Sequence, residues 1–202
     1  MSLAKVNQIT GTALYVPGSD IDTDRIIPAR FMKCVTFDGL GAYLFHDARV
    51  DENGAKKGHP LDDPRFAGAS ILLSNANFGC GSSREHAVWA LADYGFRAVL
   101  APSFADIFAN NCVKNGVLTV ALTEEEAAEI ARKAELSGYQ LTIDLESCTV
   151  EDQDGFQAKF KIDEFTRHCL LEGLDDIGLT LQHESAISRF ESKHPTPSAW
   201  KT

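Results

Sequence analysis

The chain reads as an α/β domain built on a mixed sheet with flanking helices, and three observations carry that reading. Short apolar runs such as Ala69-Ser70-Ile71-Leu72-Leu73 and Phe96 to Ala101 have the length and content of buried strands, and each is followed by apolar residues at helical spacing. A Gly-rich segment, Asn77-Phe78-Gly79-Cys80-Gly81-Ser82-Ser83-Arg84-Glu85-His86-Ala87, joins the first of these runs to its helix. Such a strand–turn–helix junction opens at the carboxyl edge of a sheet, where α/β folds bind ligands. Late in the chain the pattern changes to antiparallel strands around the Asp154-Gly155 turn. At 202 residues, with no internal repeat and no linker, this is one domain large enough for a full core.

Taken in order, Ile9 to Val16 is a first strand, followed by Asp22-Thr23-Asp24-Arg25-Ile26-Ile27-Pro28 and a short helix near Ala29 to Lys33. Thr36 to Pro64 is polar and rich in Gly, Asp and Lys, and reads as a long loop with little regular structure around an apolar island, Gly39 to Phe45. A loop of that length is either a solvated insertion or functional. Ala87, Val88, Leu91 and Ala92 set the helix after the Gly-rich bend. Phe96 to Ala101 is a buried strand, Ser103 to Lys114 a helix leaving through Asn115-Gly116, and Val117 to Leu122 the next strand. Thr123-Glu124-Glu125-Glu126 opens the clearest helix, with a capping box, acids in the first turn, Arg132 and Lys133 near its end and Gly138 beyond. Its acidic start is helix electrostatics rather than a metal cluster. Leu141 to Leu145, Thr149 to Val150 and Phe156 to Phe160 alternate as strands, and helical spacing returns over Asp163 to Leu171 and Glu184 to Phe190. The domain accordingly spans residues 1–190, with a flexible C-terminal tail over 191–202 that contains Lys193-His194-Pro195-Thr196-Pro197.

Composition narrows the function. The 19 basic against 29 acidic residues give a net charge of −10, which argues against a nucleic-acid surface and requires any anion site to be positive against the general field. No apolar run approaches the roughly 20 residues of a membrane span, and the N-terminus shows no charged-then-apolar leader, so a cytoplasmic protein is expected. Cys34, Cys80, Cys112, Cys148 and Cys169 are scattered, with no C-x-x-C pair. Reduced thiols fit this spacing better than a disulfide framework or the clustered thiolates of an iron–sulfur site.

The Gly-rich bend carries the chemistry. Ser82-Ser83-Arg84-Glu85 fits a capping box with Ser82 at the N-cap and Glu85 at N3. Arg84 would then sit in the first turn, where the helix dipole disfavours a cation by about 0.3–1 kcal/mol. That cost is offset where a carboxylate or phosphate uses both the backbone N–H groups and the guanidinium. Gly79 and Gly81 remove Cβ atoms where a ligand would approach. The cap and the anion site can occupy the same atoms. Other chemistries fit less well: the last glycine of a dinucleotide fingerprint is missing, no acidic residue follows Leu100-Ala101-Pro102 to hold a ribose, and G-x-S-x-G is absent. Cys80 and His86 as a thiolate pair rest on proximity alone; an inert, buried cysteine is the simpler reading.

Asn77 to Ala87 resembles the signature of the small subunits of 3-isopropylmalate dehydratase, relatives of the swivelling domain of aconitase. Asp22 to Pro28, Ala101-Pro102-Ser103-Phe104-Ala105-Asp106-Ile107-Phe108 and Ile177-Gly178-Leu179-Thr180-Leu181-Gln182-His183 resemble further family motifs in the same order. The likeness covers all but about the last dozen residues. It implies an aconitase-like swivelling β/β/α domain and a hydro-lyase of leucine biosynthesis that isomerises 2-isopropylmalate to 3-isopropylmalate by dehydration and rehydration. It also implies a heterodimer in which a [4Fe–4S] cluster sits on the large subunit, with no cofactor or metal on this chain. By the family pattern Ser82 is the catalytic base, and Ser83 and Arg84 hold a carboxylate of a small dicarboxylate substrate. Asp24 maps to an acidic position lining the same site, orienting a base or cation of the partner chain; a turn or cap residue is the alternative. Arg25 and Arg30 are surface charges that could aid an anion, Glu85 and His86 serve capping and packing, and His183 is structural. Family members acting on homoaconitate, citramalate or dimethylmalate need the same residues, and a protein that only grips substrate is the non-catalytic alternative.

Overall fold

The computed structural model describes residues 4–32, 39–136 and 138–194. Its strands are β1 (Gln8–Tyr15), β2 (Ile71–Leu73), β3 (Ala98–Ala101), β4 (Leu118–Ala121), β5 (Gln140–Asp144), β6 (Thr149–Asp152) and β7 (Gln157–Lys159), joined in one sheet of order β4-β3-β2-β1-β5-β6-β7. The two halves meet on β1. Its last residues run parallel to β2, with Ala13 opposite Ile71 and Tyr15 opposite Leu73, while Gln8 to Thr12 pair antiparallel with β5. The β2-β3-β4 side is parallel and the β5-β6-β7 side antiparallel, as the change in sequence pattern predicts.

Helices α1 (Thr23–Ile26), α2 (His46–Arg49), α3 (Glu85–Tyr94), α4 (Asp106–Lys114), α5 (Glu124–Ala134), α6 (Glu164–Glu172), α7 (Asp176–Leu181) and α8 (Glu184–Lys193) complete the chain. The unbroken apolar content of β2 and β3 reflects cover on both faces. On one face Leu14, Leu72 and Val99 pack with Ala87, Val88 and Leu91 of α3 and with Phe108 and Cys112 of α4. On the other, Ala13, Ile71, Leu73 and Leu100 meet Ala127, Ile130 and Ala134 of α5. Helix α5 opens on the predicted box: the Thr123 hydroxyl accepts from Glu126 N at 3.2 Å, and the Glu126 carboxylate accepts from Thr123 N at 2.8 Å. Asp152, its side chain fully buried, fastens the far end of α5 to the β6–β7 hairpin by accepting from Lys133 Nζ (2.8 Å), Tyr139 (3.0 Å) and the backbone of Asp154 and Phe156 (2.8 Å each). Burial pushes that carboxyl up, but Lys133 and the two N–H groups outweigh it and hold it below its usual range.

Two sequence expectations need correction here. The stretch expected to be a loop with little structure is, over residues 39–66, a packed element of short 3₁₀ turns (Leu40–Tyr43, Pro60–Asp62, Pro64–Phe66) and α2, with Leu40, Leu44, Phe45, Leu61 and Phe66 buried; residues 36–38 lie outside the described residues. Residues 51–58 are exposed, but part of the segment's polar content is engaged internally. Asp93 on α3 accepts from Gly39 N (3.1 Å) and Gly41 N (2.8 Å), and Gly41 lies so close to α3 that a Cβ there would stand 2.5 Å from Tyr94 N. Arg49 donates to both oxygens of Asp62 (2.9 and 3.2 Å) and to Leu44 O (3.1 Å). Short 3₁₀ turns lack the periodicity that marks longer elements, which is why the segment reads as loop. The second correction is at the C-terminus: the tail expected from residue 191 begins inside α8, which runs to Lys193, and residues 195–202 lie outside the described residues.

His59 stacks on buried Phe45 with ring centroids 5.4 Å apart, and its Nδ1 accepts from Leu61 N. Burial first, and then the charge of Arg49, lower its pKa to about 4, against an opposing pull from Asp62. A neutral imidazole is therefore favoured by the fold, and the stability it contributes is whole above the unfolded value of roughly 6.5 and is lost as pH falls toward about 4. The urea midpoint of the protein should drop across that window, and His59→Phe, which keeps the ring stack, should flatten the drop. Equal slopes in the two proteins would remove His59 as its origin.

Candidate functional site

The loops that leave the carboxyl ends of β1, β2 and β3 converge on the Gly-rich bend. The β2–α3 loop is strapped on both sides. Towards the β1 loop, Gly79 N donates to Ile21 O (2.8 Å), Thr23 N to Cys80 O (3.0 Å) and the Thr23 hydroxyl to Ser82 O (2.8 Å). Towards the β3 loop, Phe78 N donates to Ser103 O and Ala105 N to Phe78 O, both at 3.1 Å, and Asn77 N to the Ser103 hydroxyl at 2.8 Å. Phe78 is fully buried and meets Phe108 edge to face at 5.4 Å, a side chain worth roughly 1.5–3 kcal/mol of burial. Asn77 takes a left-handed backbone (φ 59°) and donates its side-chain amide to Asp20 at 2.7 Å. Thr23, only 2% exposed, is a strut that sequence reading missed; its position inside the Asp22–Pro28 motif was the available signal.

These straps put Ser82, Ser83 and Arg84 on a cleft of about 230 Å³ that Ile107, Phe108 and Asn111 of α4 also line. All four predicted site residues come together, because Arg84 Nη1 is hydrogen-bonded and ion-paired to Asp24 Oδ1. Both serines are exposed, and among the described residues neither hydroxyl has a hydrogen-bond partner. Arg84 is mostly covered, its side chain 19% exposed against 54% for Asp24. A guanidinium has five donors in a planar fork, and Asp24 engages one nitrogen. The remaining donors are available to a carboxylate.

The Ser82–Glu85 capping box does not form. Helix α3 begins at Glu85 with Arg84, extended at φ −135° and ψ 104°, in the cap position and without a side-chain cap bond. Ser82 lies two residues upstream, where Gly81 (φ 86°) turns the chain and Thr23 takes the Ser82 carbonyl. Glu85 instead accepts from Asn115 Nδ2 at 3.0 Å, tying α3 to the end of α4. Asp24 pairs with Arg84 of the same chain and is not the cap of α1; that cap is Asp22, which accepts from Arg25 N at 2.7 Å. Arg30 lies away from the cleft, paired with Asp47 and over the Phe31 ring at 4.6 Å. His86 packs on Trp89 with centroids 4.5 Å apart. The Cys80 thiol is pushed up, chiefly by burial and then by Asp22 and Asp20, so it stays protonated and does not act as a thiolate. His183 sits exposed at the start of α8. Among the described residues no three His, Cys, Asp or Glu side chains converge as a metal-ligand set, and no helix is long and apolar enough to cross a membrane.

Known proteins resemble this chain along most of its length. Residues 3–125 match the family model of the aconitase C-terminal domain, and residues 128–164 a model described as LeuD_N. Residues 176–197 match the model of the C-terminal domain of the 3-isopropylmalate dehydratase small subunit. The chain is 46% identical to the 3-isopropylmalate dehydratase small subunit of Hahella chejuensis, over 98% of this chain and 97% of that one. It is 51% identical to the corresponding protein of Koribacter versatilis, over 92% and 96%. The solved structure of 3-isopropylmalate dehydratase LeuD from Methanocaldococcus jannaschii superposes with a TM-score of 0.68 at 25% identity, covering 90% of this chain and 98% of that one.

The bend depends on Gly79. Its φ of 78° is left-handed, and a Cβ there would lie 2.1 Å from Phe108 Cγ. Gly79→Ala combines backbone strain with overpacking against a buried ring and should cost about 2–4 kcal/mol in urea unfolding. A change under about 0.5 kcal/mol would show that the loop can move away from Phe108 without loss.

Proposed function

Because this chain belongs to the family of 3-isopropylmalate dehydratase small subunits, we propose that it supplies one wall of the active site that interconverts 2-isopropylmalate and 3-isopropylmalate, in a cytoplasmic complex with a separate large subunit. The observation that carries this reading is the cleft wall itself: two unengaged hydroxyls and a partly engaged guanidinium, side by side where α3 begins.

The reaction removes a proton from the carbon next to a carboxylate and a hydroxide from the neighbouring carbon, then returns water the other way round. A [4Fe–4S] cluster on the large subunit would supply the Lewis acidity for departure of the hydroxide. The work left to this chain is proton transfer and carboxylate binding. Ser82 Oγ takes the proton. A serine hydroxyl is too weak a base unaided, and its alkoxide draws support from the positive end of α3 and the neighbouring Arg84. Arg84 receives a substrate carboxylate on the donors that Asp24 leaves free, and Ser83 adds a hydroxyl to the same group. Asp24 positions Arg84 by holding one end of the guanidinium. Since Ser82 is not the cap of α3, a purely structural role for its hydroxyl loses its main support.

The direct test is turnover of 2-isopropylmalate by this chain alone and mixed anaerobically with the cluster-loaded large subunit. Activity is expected only in the mixture; no activity from a confirmed complex would exclude this substrate. Within that complex Ser82→Ala should lower turnover by on the order of 10²–10⁴-fold, as for loss of a general base. Because the residue is exposed and does not cap the helix, thermal stability should change by less than about 0.5 kcal/mol. Full turnover with Ser82→Ala would move the base to the large subunit.

A further inference from the structure

The exposed large apolar side chains are not scattered evenly. Ile107 on α4, Phe165 on α6, Ile177 and Leu181 on α7 and Phe190 on α8 are between 55% (Ile107) and 66% (Ile177) exposed. Between α4, α6 and α7 runs a groove of about 360 Å³, lined by Ile107, Phe165, Leu174 and Leu179, with the Lys114–Asp176 ion pair (3.1 Å) among its lining residues. Ile107 and Asn111 line both this groove and the cleft that holds Ser82 and Arg84, so the two adjoin.

We propose that this α4–α6–α7 face is the docking surface for the large subunit, an inference that rests on the functional reading above. Two observations select that occupant. First, the cleft supplies one wall of the site, so whatever brings the cluster must cover its mouth, and the groove is the apolar surface that shares residues with that mouth. Second, the match to the aconitase C-terminal domain ends at residue 125, whereas Ile177, Leu181 and Phe190 fall within residues 176–197, matched by a model named for the separate small subunit. A domain within a longer chain is held in place covalently. A free-standing protein must be held by buried surface, and the C-terminal helices provide apolar side chains for it.

Affinity for the cluster-loaded large subunit, measured anaerobically by calorimetry, tests the face without relying on turnover. Phe165→Asp and Ile107→Asp, both lining the groove from separate helices, should each weaken binding by on the order of 30-fold or more while circular dichroism and the thermal midpoint stay those of the parent chain. Phe165→Leu should bind within a few-fold, and Leu136→Asp, 65% exposed but outside the groove, should bind as the parent does. A parent chain that fails to bind the large subunit would sink the functional reading itself. A parent that binds while both aspartate variants bind equally well would overturn the surface alone. Self-association of the free chain that these variants abolish would assign the face to a second copy. Removal of residues 195–202 that raises apolar-dye binding in the free chain would assign it to the chain's own terminus. Either of these results also overturns the proposal.

Discussion

The hydrogen bond from buried Thr23 to the Ser82 carbonyl, at 2.8 Å, is the contact on which the site turns. It fastens the loop after β1 to the loop after β2 at the residue where the chain must bend, and it fixes where α3 can begin. With the carbonyl held and Gly81 left-handed, Arg84 is extended and the first helical residue is Glu85. Two hydroxyls that could have been spent on capping are thereby left exposed. The opposite side of the bend is set by bulk: the Phe108 ring occupies the space a Cβ on Gly79 would need. The loop is held by backbone bonds on both sides and by a packed aromatic pair, and this preorganises a site without a bound ligand to shape it.

Charge is arranged at the same place. In a chain of net charge −10 a guanidinium at a helix N-terminus meets an unfavourable dipole, and the Asp24 carboxylate offsets it. The carboxylate comes from α1, which the straps from Thr23 and Gly79 hold against the bend, so one set of contacts places both partners of the pair. The pairing through a single nitrogen immobilises Arg84 while leaving donors for a ligand, which lowers the ordering cost of binding.

Local patterns were legible where nothing distant competed for them. Thr123-Glu124-Glu125-Glu126 and Ser82-Ser83-Arg84-Glu85 carry the same capping signature, yet the first forms both reciprocal bonds and the second forms neither. The difference is tertiary: Thr23 and Asn115, 59 and 30 residues away, take the Ser82 carbonyl and the Glu85 carboxylate. The parallel strands and the late hairpin were readable because apolar runs and alternation are set within each segment. Residues 39–66 were not, because their burial depends on Asp93 and the close approach of Gly41 to α3, neither of which leaves a period in the sequence. Ser82, Ser83, Arg84 and Asp24 can be singled out from their motifs, but the Asp24–Arg84 pairing joins positions 60 apart and only the fold discloses it.

The electrostatics of the cleft and the apolar face belong to one design. Among the described residues, Arg84 is the basic side chain lining the cleft, and it is answered there by Asp106 and engaged by Asp24. A wall of that composition, on a chain of this net charge, offers little attraction to a dicarboxylate dianion approaching from water. On the function proposed above, the positive charge needed for the second carboxylate comes from whatever closes the cleft, and closing it also removes the water that would weaken Arg84's grip. An apolar groove adjoining the cleft gives such a partner something to bind that does not depend on substrate. Assembly can then precede ligand binding, with the substrate's charges compensated only once both walls are in place.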